Sequence, residues 1–465
     1  MSSFPFEGFL STPEMLEVFS ESSVVQAMMD FEAALAHACA AENLIPASAA
    51  TTIAHVCKAD LYDIPALVAE SGKAGSLAIP LVKKLTETVA LFDKQAAGYV
   101  HWGSTSQDVI DTAMALLTRR ALALIDRDLG RLIERLLALG HEHAGTPILA
   151  RTLMQPAQVV SLGLKIVGWV APLIRRRQAL RDRAQGAVAL QFGGAVGTLA
   201  TLGSAGPAVG RHVARRLGLR WPDSAWHTQR DDWVALGAEV GVLCGALGKI
   251  ARDWSLLAQA EVGELAEPSG GGRGGSSAMP HKRNPVASMV ALAAAGRAPQ
   301  RVAALLAAMP QEHERGLGNW QAELAEWAGL LLSAHGAVHA LAEACEGLTI
   351  DTERMRRNIE SLQGLVYTEA VSMRLAERIG KADAHQMVEA LARRSVAEQR
   401  PLEELVRGAV EADPALSRAV PMEELASLFD PAQAALPAAL IAQERLPQLR
   451  EQAQMLAARP AFTAD

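Results

Sequence analysis

The chain has 465 residues, half of them apolar and only 4% aromatic, with a formal net charge of -7. That length exceeds one simple core and implies several domains or an extended bundle. The modest charge and the absence of a basic stripe argue against nucleic acid as a partner. The four cysteines, Cys39, Cys57, Cys244 and Cys345, are scattered without Cys/His ligand spacing, and so read as buried thiols of a reducing compartment, with no structural zinc. Alanine runs such as 291–295 favour close-packed helices, so the expected fold class is all-α. Residues Met1 to Glu7 lack the charged and apolar parts of a leader, and no window approaches an uninterrupted membrane span. A cytoplasmic protein with no membrane partner is expected.

Taken in chain order, the first helix start is Thr12-Pro13-Glu14, where a hydroxyl cap, a first-turn proline and an acid near the positive helix end agree. Shorter helices run to about residue 100, broken at Asn43 to Pro46 and at Ile64-Pro65. From Thr105 to about His143 there is no proline, and Ile110, Met114, Leu117, Ala121, Leu124, Leu129, Leu132 and Leu136 keep helical spacing. Such a helix is roughly 55 to 60 Å long. Comparable segments are expected at about 157–189, 231–265, 285–309 with a kink at Pro299, and 319–347. From Asp351 onward prolines recur at Pro401, Pro414, Pro421, Pro431 and Pro437, which predicts shorter helices. The expected division is therefore an N-terminal helical domain (1–104), a central long-helix bundle (105–350) and a C-terminal helical domain (351–465). The apolar stripes exceed what one chain covers, so a homo-oligomer built on shared helices is expected.

The chemistry concentrates at a glycine tract, Gly270 to Gly275 broken only by Arg273, and the residues behind it, Ser276, Ser277, Met279, His281, Lys282 and Asn284. The tract lacks the GxxxxGK[ST] order and no strand pattern precedes it, so a nucleotide loop is disfavoured. A plain flexible linker would not need the polar groups that follow. A serine hydroxyl becomes a base only where a cation and oriented amides stabilise its alkoxide, and Lys282 and the helix opening at Pro285 supply both. Ser276 is thus a candidate base on a closing loop, 268–285. Three other polar segments stand before long helices: His101-Trp102-Gly103-Ser104-Thr105-Ser106-Gln107-Asp108, Arg151 to Gln155, and His227-Thr228-Gln229-Arg230-Asp231. Singly, each reads as well as a helix cap or a surface ion pair. Together they suit one cleft.

Gly275 to Pro285 resembles the signature loop of the fumarase/aspartase superfamily, and the three polar segments resemble that superfamily's other active-site segments. Met28 to Ala36, Gln191 to Ala195, Ala308 to Arg315 and Met355 to Asn358 extend the resemblance over essentially the whole chain. It implies a homotetramer of three-domain all-α subunits, with each active site drawn from three chains and no metal or organic cofactor. It also implies catalytic roles for Ser276, Lys282 and His101, and substrate contacts from Thr105, Ser106, Gln107, Gln155, Gln229, Arg230, Ser277, Met279, Asn284 and Arg315.

One departure narrows the expectation. Many lyases of this superfamily carry a histidine after the threonine of the second segment, paired with a glutamate five residues beyond the loop asparagine. Here Leu153 and Met289 stand at those positions. A carboxylate leaves as a stable anion, whereas an amine or hydroxide needs a proton from a general acid. The paired loss fits a lactonising cycloisomerase, in which a carboxylate of a small tricarboxylate substrate adds to the substrate's own double bond. His281 and His313 are candidates for any proton-transfer help the lost pair leaves undone. The rival is adenylosuccinate lyase or another fumarate-releasing member. Against it stand Leu153, Met289 and Phe9-Leu10, where that branch carries an Arg-Tyr. Intact Ser276, Lys282 and Asn284 argue against a protein that kept the fold without the chemistry.

Overall fold

The computed structural model describes residues 5–270, 272–275, 278–279, 281–459 and 461–462. The longest helix forms at Ser106–Glu142, and its apolar stripe is inward as expected: Met114, Leu117, Ala121, Leu129, Leu132 and Leu136 are buried, with Ile110 and Leu124 at the margin. It packs with Leu162–Ala187 and Asn319–Glu346; Asp231–Leu257 packs on both of these, and Val286–Ala308 packs on Asp231–Leu257 and Asn319–Glu346, which completes one long-helix bundle. Each fully buried leucine contributes about 1.5–3 kcal/mol, and Trp233 stacks on Trp327 at 4.0 Å between ring centroids inside the bundle. Among the described residues one helix, Asp231–Leu257, is long and apolar enough to cross a membrane, and 56% of its apolar window is buried inside this chain.

The helix expected from about 157 begins later, at Leu162, because residues before it form a hairpin. Pro147–Thr152 pairs antiparallel with Gln155–Ser161, and Leu153 and Met154 make the turn at φ of 50° and 67°. The β-branched pair Val159-Val160 suits a strand, while Ser161 caps the helix that follows by accepting from the Leu164 amide at 3.1 Å. Leu265–Ala266 pairs with Thr349–Ile350 as a second small ribbon in an otherwise helical fold. The hairpin carries Leu149 and Val159 into a separate apolar cluster with Ile359, Val371, Leu375, Leu402 and Val406.

The last helix, Pro431–Ala458, also departs from expectation, since it runs through Pro437 and Pro447. Each internal proline removes a backbone donor, and packing compensates: Ala442, Leu446 and Leu456 join the bundle core. Arg181 donates to the Leu456 carbonyl, which pins this helix. Thr12 caps its helix as predicted, accepting from the Met15 amide at 3.1 Å. All four cysteines are free and buried, and burial pushes the thiols of Cys39, Cys244 and Cys345 up to about 12, which keeps them protonated and inert.

Asp126 faces Arg177 and Arg181 at 2.8 and 2.7 Å, with all three side chains under 10% exposed. Removing the shared acid strands two buried cations. Asp126→Ala should therefore destabilise the chain by about 3–5 kcal/mol, read as a fall in the urea midpoint; a loss under about 1 kcal/mol would show that the arginines find other partners.

Candidate active site

The start of the longest helix gathers the polar groups. Asp108 turns back to accept from the Thr105 amide at 3.1 Å, which closes the first turn. The remaining unpaired N–H groups there favour an anion. Arg315, from the connection between Val286–Ala308 and Asn319–Glu346, lies over this turn. It donates to Gln107 Oε1 at 2.6 Å, Thr105 Oγ1 at 2.9 Å and Ser106 Oγ at 3.4 Å. Among the described residues it has no carboxylate partner, and burial pulls its pKa below the ordinary arginine value against the opposing pull of Asp108 and Asp111. A half-buried guanidinium above a helix N-terminus is suited to a carboxylate ligand.

His101, at φ of 60°, precedes this turn, and its Nδ1 lies 2.6 Å from Glu32 Oε1. Burial alone would depress the imidazole pKa, but the charge and hydrogen bond of Glu32, aided by Asp108, raise it above the usual histidine value. Glu32 is itself buried, and its Oε2 has no hydrogen-bond partner.

Beneath these groups lies a closed polar cluster. Asp108 accepts from the amides of Gly193 and Gly194 at 3.0 and 2.9 Å and sits 2.8 Å from His227 Nε2. Gly193 is required there, since a Cβ would fall 2.7 Å from Ala225 Cβ and 3.0 Å from His227 Cε1. Asp111 accepts from Gln107 at 3.1 Å, Gln191 at 3.2 Å, Trp320 at 2.9 Å and Arg230 at 2.8 Å. Arg230 also pairs with Glu323 and lies 4.4 Å from the Trp226 ring centroid. Burial opposes its charge, yet Asp111 and Glu323 hold its pKa above the ordinary value.

Two expected substrate ligands are engaged within the chain. Arg230 is 2% exposed and Gln107 1% exposed, and both are committed to partners inside the chain. Arg230 holds the acid cluster together; Gln107 bridges Asp111 to Arg315. Of the other expected ligands, Thr105 and Ser106 accept from Arg315, and no described hydrogen bond joins Gln155 or Gln229 to it. Gln155 is exposed at the first residue of the hairpin's second strand. The segment before it is anchored by Arg151, which donates to Glu264 at 3.0 and 3.1 Å, while Asn358 donates to the same acid at 2.7 Å. Gln229 is exposed in a groove with Arg220, Asp223, Asp231 and Asp232.

On the loop, Ser276 and Ser277 lie outside the described residues. Met279 and Lys282 are exposed, and Asn284 is tied back by its amide donating to the Gly274 carbonyl at 2.9 Å. Gly274 has φ of 66°, and a Cβ there would stand 2.8 Å from Asn284 O. Glu267 secures the loop base by accepting from the amides of Ala287 and Ser288 at 2.8 and 2.9 Å and from Ser288 Oγ at 2.6 Å. Leu153 and Met289, the apolar replacements, are 97% and 48% exposed. His281 is exposed, and the His313 carbonyl accepts from Thr228 Oγ1 at 3.0 Å.

Sequence reading missed Glu32, Asp111, Glu323, Gln191 and Trp320 as parts of the site's support. A signal existed for two of them. Glu32 interrupts the apolar run Met28 to Ala36, and Asp111 repeats Asp108 one turn later on an inward face.

Residues 9–299 match the protein family described as Lyase, and residues 364–444 match the one described as Adenylosuccinate lyase C-terminus. The chain is 47% identical over 422 residues to a 3-carboxy-cis,cis-muconate cycloisomerase of Bradyrhizobium diazoefficiens, covering 91% of this chain and 93% of that protein. It is likewise 47% identical over 427 residues to the enzyme of the same name from Pseudomonas aeruginosa, covering 92% of each. The crystal structure of the 3-carboxy-cis,cis-muconate lactonizing enzyme from Pseudomonas putida has a TM-score of 0.90 at 42% identity, covering 97% of this chain and 99% of that one. With the helix-start cluster, the glycine-backed loop and a matching fold all in one chain, this protein belongs to the lyase family of the fumarase/aspartase superfamily.

Proposed function

We propose that the chain is a cytoplasmic cycloisomerase that interconverts 3-carboxy-cis,cis-muconate and 4-carboxymuconolactone in protocatechuate degradation by the beta-ketoadipate pathway. The observation that carries this reading is the end-to-end similarity to two enzymes of that name. The loss of the acid pair at Leu153 and Met289 agrees with it.

In the lactonising direction a substrate carboxylate oxygen forms a C–O bond to the conjugated double bond, and the displaced electron pair moves onto the carboxylate flanking the neighbouring carbon. That carbon then takes the Ser276 proton; in reverse Ser276 removes it. Arg315 with the hydroxyls of Thr105 and Ser106 receives one carboxylate, and His101, whose pKa Glu32 raises, precedes the same turn. Lys282, Asn284, Ser277 and Met279 come with the loop, and Gln155 and Gln229 complete the contacts.

The site is assembled from three chains of a homotetramer. Support comes from the apolar residues left exposed on one protomer. Leu153 and Met154 hold left-handed conformations, each costing about 1–2 kcal/mol, at a turn where they are 97% and 70% exposed. Val242 and Leu306 of the bundle helices are 53% and 51% exposed.

With 3-carboxymuconate the purified protein should bleach the conjugated-diene absorbance, and it should release no fumarate from adenylosuccinate. The opposite pattern assigns it to the rival branch. Ser276→Ala should lower turnover by orders of magnitude with unchanged circular dichroism. Reassembling those subunits with Arg315→Ala subunits should restore part of the activity, because some sites then take both intact residues from different chains; no recovery would argue for a site within one chain. For Glu32→Gln, loss of the carboxylate charge that raises the His101 pKa should move the imidazole titration, followed by NMR, to lower pH. The alkaline limb of the activity profile should move the same way, and an unmoved titration would remove Glu32 from this role.

A further inference from the structure

Asp128 lies 22 residues beyond Ser106 on the longest helix, about 33 Å along its axis, and so stands well away from the Arg315 cluster of the same chain. Its side chain is fully buried and faces two histidines one turn apart on Asn319–Glu346. His339 Nδ1 is 2.8 Å and His335 Nε2 3.2 Å from Asp128 Oδ2, and one ligand atom from each of the three residues lies within 4.8 Å of the others. Two histidines at i and i+4 with a carboxylate form a ligand set for borderline divalent ions, whose bonds are about 2.0–2.2 Å.

The far nitrogens are held as well. His335 Nδ1 is 3.0 Å from Thr12 Oγ1, and His339 Nε2 is 3.3 Å from Glu343 Oε1. An imidazole that gives its far N–H to such an acceptor turns the lone pair of its near nitrogen toward Asp128, the arrangement metal-binding histidines use. Without an ion, His339 Nδ1 is hydrogen-bonded to Asp128 Oδ2 at 2.8 Å, and a bound ion would displace that proton. His335 Nε2, by contrast, is buried beside Asp128 yet makes no hydrogen bond.

Arg127 donates to both Asp128 oxygens at 3.0 and 3.2 Å, and Arg131 donates to Oδ1 at 3.2 Å. Both arginines are also neutralised from outside, by Glu14 at 2.8 Å and Glu346 at 2.6 Å, while Glu343 pairs with Arg273 of the glycine tract. Four carboxylates thus face three arginines, leaving one net negative charge when both histidines are neutral. His339 is 27% exposed, which gives an ion its way in.

We propose that Asp128, His335 and His339 bind one divalent transition ion of the zinc or cobalt kind, with water as a further ligand. The ion clamps the Ser106–Glu142 helix to Asn319–Glu346 beside Thr12 and takes no part in the reaction. The competing state is a doubly protonated His339 bridging Asp128 and Glu343. The test is titration of the full-length, chelator-dialysed protein with Co2+, following metal content, visible absorption and melting temperature. The expected result is one ion per chain with the visible bands of nitrogen-ligated cobalt and a higher melting temperature. In His339→Gln, a change at a partly exposed position, affinity should fall at least a hundredfold while cycloisomerase activity stays unchanged. Asp128→Asn should lose the ion too if it folds. No uptake at micromolar Co2+ by folded wild type, or uptake undiminished in His339→Gln, would overturn the site and leave the protonated bridge as its explanation.

Discussion

The start of the longest helix depends on burying Asp108 and Asp111 one turn apart on an inward face. An unpaired buried carboxylate costs several kcal/mol, more than a helix dipole repays, so every lone pair needs a donor brought from elsewhere in the chain. Asp108 takes its donors from the Gly193-Gly194 turn and His227; Asp111 takes them from Gln107, Gln191, Arg230 and Trp320. Arg230 then requires Glu323 as a second acid. Because these partners open the Asp231–Leu257 and Asn319–Glu346 helices, satisfying two carboxylates fixes the register of three helices at one end of the bundle. Arg315 owes its position to the same cluster through Gln107.

Arg230 and Arg315 show how much of this was legible. Both appear in the sequence as a cation in a short polar stretch before a helix, and the sequence cannot rank them. Partners separate them: two acids 119 and 93 residues away neutralise Arg230, whereas among the described residues Arg315 has only neutral acceptors. Long-range pairing of that kind leaves no local pattern. Helix positions were legible because burial repeats at helical spacing within each segment, and the cap at Thr12 because capping is local. The hairpin was not, because Pro147 to Ser161 is short and its strands take their apolar partners, such as Ile359 and Val371, from a distant part of the chain. The run through Pro437 and Pro447 was hidden for the same reason, since tertiary packing offsets the local cost of proline.

The charge distribution bears on substrate class. Below the helix start, acids and cations are paired and closed to water. Above it stand a guanidinium without a carboxylate and an imidazole whose pKa a buried glutamate raises. Among the described residues Arg315 has neutral acceptors and His101 has Glu32 as its counter-charge, where the helix already favours negative charge, so an anion binds favourably beside both. A ligand with several carboxylates satisfies both and still has one group free to react.

The apolar exchange at Leu153 and Met289 follows from the same electrostatics. In the proposed lactonisation the carboxylate that leaves in reverse is already stable as an anion at neutral pH, so a proton donor beside it would lower the barrier little. An unused histidine and glutamate pair would still have to be desolvated whenever the site closed. Leucine and methionine remove that cost. The charge that does need help develops on the substrate's enolate-like carboxylate, and fixed cations stabilise it best where water is excluded. In the proposed reaction, catalysis rests on one proton transfer at the loop serine and on positive groups held in place beforehand, which is the work the buried Asp108 and Asp111 cluster performs for Arg315.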